Sequence, residues 1–180
     1  MGRKHVIGLS LASLSLTLCL VGLIGFTFEG SVTDIPTPNT PDRTYFSDEP
    51  LPQNSLAPFV VANVKFTWDR DDIYVVIVDA DEKADCESTP EGLGGFGSST
   101  ACSSSDPDIV AGGADSNGDD GIEWQIESGE YYVGMGNIFS NIPEGTQVSI
   151  DYQVHLKGSF VMYFVCIILG FAGLAYLKTD

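Results

Sequence analysis

The stretch Val148-Ser149-Ile150-Asp151-Tyr152-Gln153-Val154-His155-Leu156 alternates apolar and polar side chains. After Lys157 alone, an uncharged apolar run extends from Gly158 to Leu177. Period-two alternation is the pattern of a strand with one buried face. A run of about 20 apolar residues is long enough to cross a bilayer as a helix. Together they predict a β-domain whose last strand enters a membrane span with almost no joint.

The same period recurs upstream. Val60, Ala62, Val64, Phe66 and Trp68 alternate with Val61, Asn63, Lys65, Thr67 and Asp69. Ile122, Trp124 and Ile126 alternate with Glu123, Gln125 and Glu127, and Tyr131-Tyr132-Val133 follows a turn at Ser128-Gly129. Ile73-Tyr74-Val75-Val76-Ile77-Val78 is apolar on both faces, as a central strand is. Asp69–Asp72 and Pro143-Glu144-Gly145 supply further turns. These elements predict an all-β domain, an antiparallel β-sandwich of five or more strands. No helical period is found outside the apolar runs.

A second uncharged apolar run, Val6 to Phe28, precedes the domain. The chain then divides into a tail (1–5), a first transmembrane helix (6–28), a linker (29–58), an acidic β-domain (59–157), a second transmembrane helix (158–177) and a second tail (178–180). Arg3, Lys4 and Lys178 flank the runs, so the positive-inside rule places both tails in the cytoplasm and the domain outside the plasma membrane. Lys157 on the outer side opposes this weakly. A cleaved signal peptide over 1–28 is the alternative. The apolar run exceeds a usual signal core, and no small-x-small site precedes Glu29, which favours an uncleaved anchor. The linker holds six of the nine prolines, a composition suited to an extended, loose tether.

The formal charge is −17. Glu29–Lys157 alone carries 24 acids against five bases, a balance of −19. Such a surface repels nucleic acid and anionic lipid headgroups and attracts cations or basic partners. General adaptation to high salt accounts for it equally well.

Cys86 and Cys102 are the cysteines outside the runs, and outside the cell they are expected to form a disulfide around a glycine-rich loop. Asp115-Ser116-Asn117-Gly118-Asp119-Asp120-Gly121-Ile122-Glu123 resembles the start of an EF-hand-type calcium loop. Its candidate Ca2+ ligands are Asp115, Asn117, Asp119, Asp120 and Glu123. The glycine expected after Asp119 falls one residue late, and so does the acid expected at the twelfth place. A solvated acidic turn fits the same residues. Asp79, Asp81, Glu82 and Asp85 form a second acidic cluster. No nucleophile elbow, phosphate-binding loop or zinc spacing is present, and no catalytic residue is assigned.

Small residues recur along each apolar run: Gly8, Ala12, Ser15, Cys19 and Gly22 in the first, Ser159, Cys166, Gly170 and Gly173 in the second. Such seams let membrane helices approach closely, either with each other or with a partner.

The segment Ile122–Val133, followed by the strand Val148–Leu156 and an immediate span, resembles the end of GOLD-type ectodomains of membrane cargo receptors. Ser-Gly-Glu-Tyr-Tyr-Val (128–133) is also similar to bacterial pre-peptidase C-terminal domains. Both resemblances imply a β-sandwich and no functional residue. The membrane-proximal coiled coil of the cargo receptors is missing here. The expected function is thus non-enzymatic: a membrane-anchored domain for protein interaction or support of an envelope complex. Its partners would be membrane lipid and a membrane or envelope protein or a second copy, with a calcium-dependent binding module as the alternative.

Overall fold

The computed structural model describes residues 3–37, 40–88, 102–138 and 142–178. The elements are α1 (Arg3–Ile24), β1 (Phe26–Pro36), β2 (Tyr45–Phe46), β3 (Val60–Trp68), β4 (Ile73–Asp79), α2 (Ala80–Ser88), β5 (Ala111–Gly112), β6 (Ile122–Gln125), β7 (Tyr131–Asn137), β8 (Gln147–Gly158) and α3 (Phe160–Lys178). The strands form two four-stranded, mostly antiparallel sheets, ordered β1-β8-β3-β6 and β2-β7-β4-β5. Contacts group the chain into two compact units: Met1–Phe28 with Asn54–Asn63 and Val154–Asp180, and Glu29–Gln53 with Val64–Gln153.

The second unit holds the larger core. β4 lies between β7 and β5, and Ile73 through Val78 are at most 1% exposed, so both faces are covered as the continuous apolar run requires. β4 and β7 pair from Ile73↔Asn137 to Asp79↔Tyr131. Val64, Phe66 and Trp68 of β3, Ile122 and Trp124 of β6, and Val148 and Ile150 of β8 are buried while their neighbours are not, which is the period-two pattern in three dimensions. Trp68 satisfies its indole by donating Nε1–H to the Ile73 carbonyl at 2.9 Å. The β3–β4 turn is clamped by Arg70, whose Nε and Nη2 donate to the two carboxylate oxygens of Asp72. That fork holds the Asp72 carboxyl below its usual range.

Three expectations are corrected. The expected linker carries two strands, β1 and β2. The prolines allow this because Pro36 ends β1 and the others fall outside both strands, so no ladder N–H is missing from a strand interior. Second, a helix does exist outside the apolar runs. α2 begins where Asp79 Oδ1 accepts the Glu82 backbone N–H at 2.9 Å, has Asp81 and Glu82 in its first turn, and carries a Lys83–Glu87 pair at 3.6 Å. Third, the first apolar helix stops at Ile24 rather than Phe28. Gly25 takes φ 72° and donates its N–H to the Val21 carbonyl, the left-handed cap that ends many helices, and Phe26 starts β1.

In the first unit α1 and α3 pack against each other, antiparallel. Both are long and apolar enough to cross a membrane, with only 11% of each apolar window buried. A short turn, Asn54–Phe59, is held by Asn54: its Oδ1 accepts Leu56 N–H and its Nδ2 donates to the Val60 carbonyl.

Candidate functional site

Chemically active side chains gather around the disulfide. Cys86, at the C-terminal end of α2, is bonded to Cys102, with the two Cα atoms 5.2 Å apart. Thr44 donates its backbone N–H to the Cys102 carbonyl, which fixes the second half-cystine. Most of the loop the bridge closes, residues 89–101, lies outside the described residues.

Glu82 stands one turn before Cys86, and its Oε1 is 3.3 Å from both sulfurs. A disulfide has no thiol proton, so this is packing rather than hydrogen bonding. Asp106 and Asp108 reach the same place: one oxygen from each lies within 4.8 Å of the others and of Glu82. Burial, and then the negative charges of Asp106, Asp108 and Asp85, push the Glu82 carboxyl above its usual range. Three convergent carboxylates can share a proton or hold a hard cation. Because the bridge withholds both sulfurs, Glu82 with Cys86 and Cys102 is not a thiolate metal site.

Of the second acidic cluster read in the sequence, Glu82 alone joins this group. Asp79 caps α2, and Asp81 and Asp85 are exposed. Asp106 and Asp108 were missed. The signal was present as Asp106-Pro107-Asp108, four residues after a cysteine whose partner sits one turn from Glu82.

The segment Asp115–Glu123 is tied together from within by Asn117 and Asp120. Asn117 donates its amide to Asp120 Oδ2 at 2.8 Å, and its Oδ1 accepts the Asp120 backbone N–H at 2.9 Å. Glu123 is exposed and 3.9 Å from Lys65. Among the described residues, Asp115, Asp119, Asp120 and Glu123 join no convergent group of three ligands. The two glycines have a packing reason. A Cβ on Gly121 would strike the Phe66 carbonyl, and one on Gly118 would strike the Trp68 carbonyl, so both let this segment lie against the backbone of β3.

A shallow groove of about 560 Å³ runs over Glu29, Lys65, Asp151, Tyr152 and Gln153. Gln153 donates to Glu29 Oε1 across it at 2.6 Å.

Between α1 and α3 the small residues lie in contact. Gly8 faces the Gly173 carbonyl and Leu177, and Gly173 also faces the backbone of Ala12. Ser15 donates Oγ–H to the Cys166 carbonyl at 2.6 Å and approaches Gly170. Cys19 follows Ser15 by one helical turn, and Gly22 meets Met162 and Gly158. Ser159 is not part of this row. Its Oγ lies 3.3 Å from the Met162 backbone N–H, three residues on, as the cap of α3, and it donates to the Pro58 carbonyl.

No protein-family model matches the chain, and no match is found among curated proteins. Among solved structures, the periplasmic inhibitor of g-type lysozyme from Aeromonas hydrophila, PliG, aligns over 74% of this chain and 86% of its own, at 14% identity and a TM-score of 0.27. A likeness of that size transfers no property.

Proposed function

We propose that this is a non-enzymatic, membrane-anchored protein whose two apolar helices span the plasma membrane, with both tails in the cytoplasm and an outer β-sandwich that binds a protein partner. The observation that carries the reading is the surface of the helix pair. Once α1 and α3 have packed, Leu14, Leu16, Leu20, Leu23, Phe164, Ile167 and Phe171 remain 49–73% exposed, a surface that water does not tolerate and a bilayer does. The partner reading rests on the domain itself. It has a disulfide-stapled helix and an acidic surface, a combination suited to recognition of a protein. A basic membrane or envelope protein or a second copy would be the ligand.

Alkaline carbonate washing of membranes followed by protease treatment of sealed cells tests the mounting. Retention in the pellet with the domain cut from outside is expected; release into the supernatant sinks the proposal. Extraction in mild detergent after crosslinking is expected to recover a stoichiometric partner or a homo-oligomer, and a clean monomer counts against the partner.

A second reading, a calcium-dependent binding module, is favoured by the convergence of Glu82, Asp106 and Asp108 rather than by the Asp115–Glu123 segment. Calorimetric titration of the detergent-solubilised protein with calcium tests it; no saturable heat overturns it.

A further inference from the structure

Outside α1 and α3, four of the exposed large apolar side chains stand on two segments of the first unit: Phe26 (62% exposed) and Phe28 (50%) at the start of β1, and Leu56 (60%) and Phe59 (46%) in the turn before β3. Phe160, which opens α3, is 84% exposed, more than any other large apolar residue described. All five adjoin the ends of the two helices. Phe26 follows Ile24 by two residues. The Leu56–Phe59 turn is tied to the first residues of α3, because Ser159 donates its backbone N–H to the Phe59 carbonyl at 2.8 Å and its hydroxyl to the Pro58 carbonyl at 2.5 Å. The ends are level with each other, since a Cβ on Gly22 would lie 3.3 Å from the Gly158 Cα.

Charge follows the same boundary. Residues 25–28, 54–63 and 154–160 contain no Asp or Glu, in a chain that has 25, and their one Lys or Arg is Lys157, which is exposed. A surface due to face water in this protein would carry carboxylates, as the rest of the chain does. This one carries phenylalanines and a lysine, the chemistry of the boundary between acyl chains and phosphates.

We propose that Phe26, Phe28, Leu56, Phe59 and Phe160 form a foot that enters the outer leaflet of the bilayer, so that lipid, and not water or a protein partner, covers it. The inference rests on the membrane mounting proposed above. α1 and α3 measure about 33 and 28 Å at 1.5 Å per residue, against a hydrocarbon core of about 30 Å. The helices therefore fill the core, and the foot falls at the headgroup boundary, where Lys157 can reach a phosphate. Buried exposed ring area stabilises the seated state without any specific headgroup.

The test uses the full chain carrying Phe59→Trp, and separately Phe28→Trp, reconstituted in phosphatidylcholine vesicles with and without bromine on the shallow acyl carbons. Trp68 and Trp124 are buried and give a background measured on the unsubstituted protein. The added indole is expected to emit to the blue of an aqueous indole, to lose about half its intensity in brominated vesicles, and to resist aqueous acrylamide. Quenching by acrylamide and not by bromine overturns the foot. Quenching by neither also overturns it, since protein then covers the site. Vesicle flotation separates the two proposals: a chain that fails to float sinks the mounting and the foot together, whereas one that floats with a water-exposed indole sinks the foot alone.

Discussion

Glu82 occupies the first turn of α2, where the helix dipole favours an acid, and lies against the disulfide beside Asp106 and Asp108, where its neighbours oppose its charge. The second influence prevails, and burial with those neighbours raises its pKa. Folding thus favours the protonated form. That contribution is complete below the unfolded pKa and is lost as pH rises through the folded one, so ionised Glu82 weakens the fold at neutral pH. Glu82→Gln is expected to raise the melting temperature at neutral pH by a few degrees and to melt like the parent near about pH 4. A lower melting temperature at neutral pH would mean that the carboxylate has a stabilising partner. Asp72 is the opposite case. Its carboxyl is held down first by the hydrogen bond from Arg70, so it stabilises above the unfolded carboxylate pKa and loses that effect as pH falls through its own.

At the scale of elements, the α1–α3 pair makes the most direct prediction. Cys19 lies one turn on from Ser15, whose hydroxyl reaches the Cys166 carbonyl, and both cysteines are free, so a membrane-permeant oxidant is expected to join them within one chain and give a faster-migrating band on a non-reducing gel, absent in Cys19→Ala. A disulfide-linked dimer in its place would show that the seam packs between copies. For α2, the Cys86→Ser, Cys102→Ser pair of changes is expected to cost about 3 kcal/mol in denaturant unfolding, the entropy of releasing a loop of this size. An unchanged midpoint would place the stability of α2 in its cap and its contacts alone. Legibility differed among the elements for physical reasons. β4 was readable because six apolar residues in succession leave no alternative face. α2 was not, because its evidence is polar: a cap at Asp79 and a charge pair, with little apolar period to see. β1 was hidden by prolines that border it. The packing role of Gly118 and Gly121 was not legible, because the carbonyls they accommodate, on Trp68 and Phe66, are about 50 residues away in sequence.

The whole molecule joins an apolar helix pair to a domain region of balance −19. Dense like charge destabilises a compact state by self-repulsion, and salt screens it over about 10 Å at 0.1 M. The protein in neutral detergent is expected to melt several degrees higher in potassium chloride at about 0.15 M than in dilute buffer, with sodium chloride equivalent. A melting temperature indifferent to salt would mean that the charges are too dispersed to act together. The alternation that opened the sequence predicted the strands, and the two apolar runs predicted the helices. The pairing of those helices and the apolar foot at their ends needed coordinates, because each joins segments more than a hundred residues apart.

That separation bears on how the protein is made. The Ser15–Cys166 hydrogen bond spans 151 residues. A ribosome adding about 5–20 residues each second needs on the order of ten seconds to pass from one partner to the other. During that interval α1 has no α3 to cover its glycine and serine row. In the proposed mounting it waits in the bilayer, either alone or against a temporary companion, until the last helix is released. In that mounting the schedule of synthesis sets a window in which the seam is open to other membrane helices, and the arrival of α3 closes it.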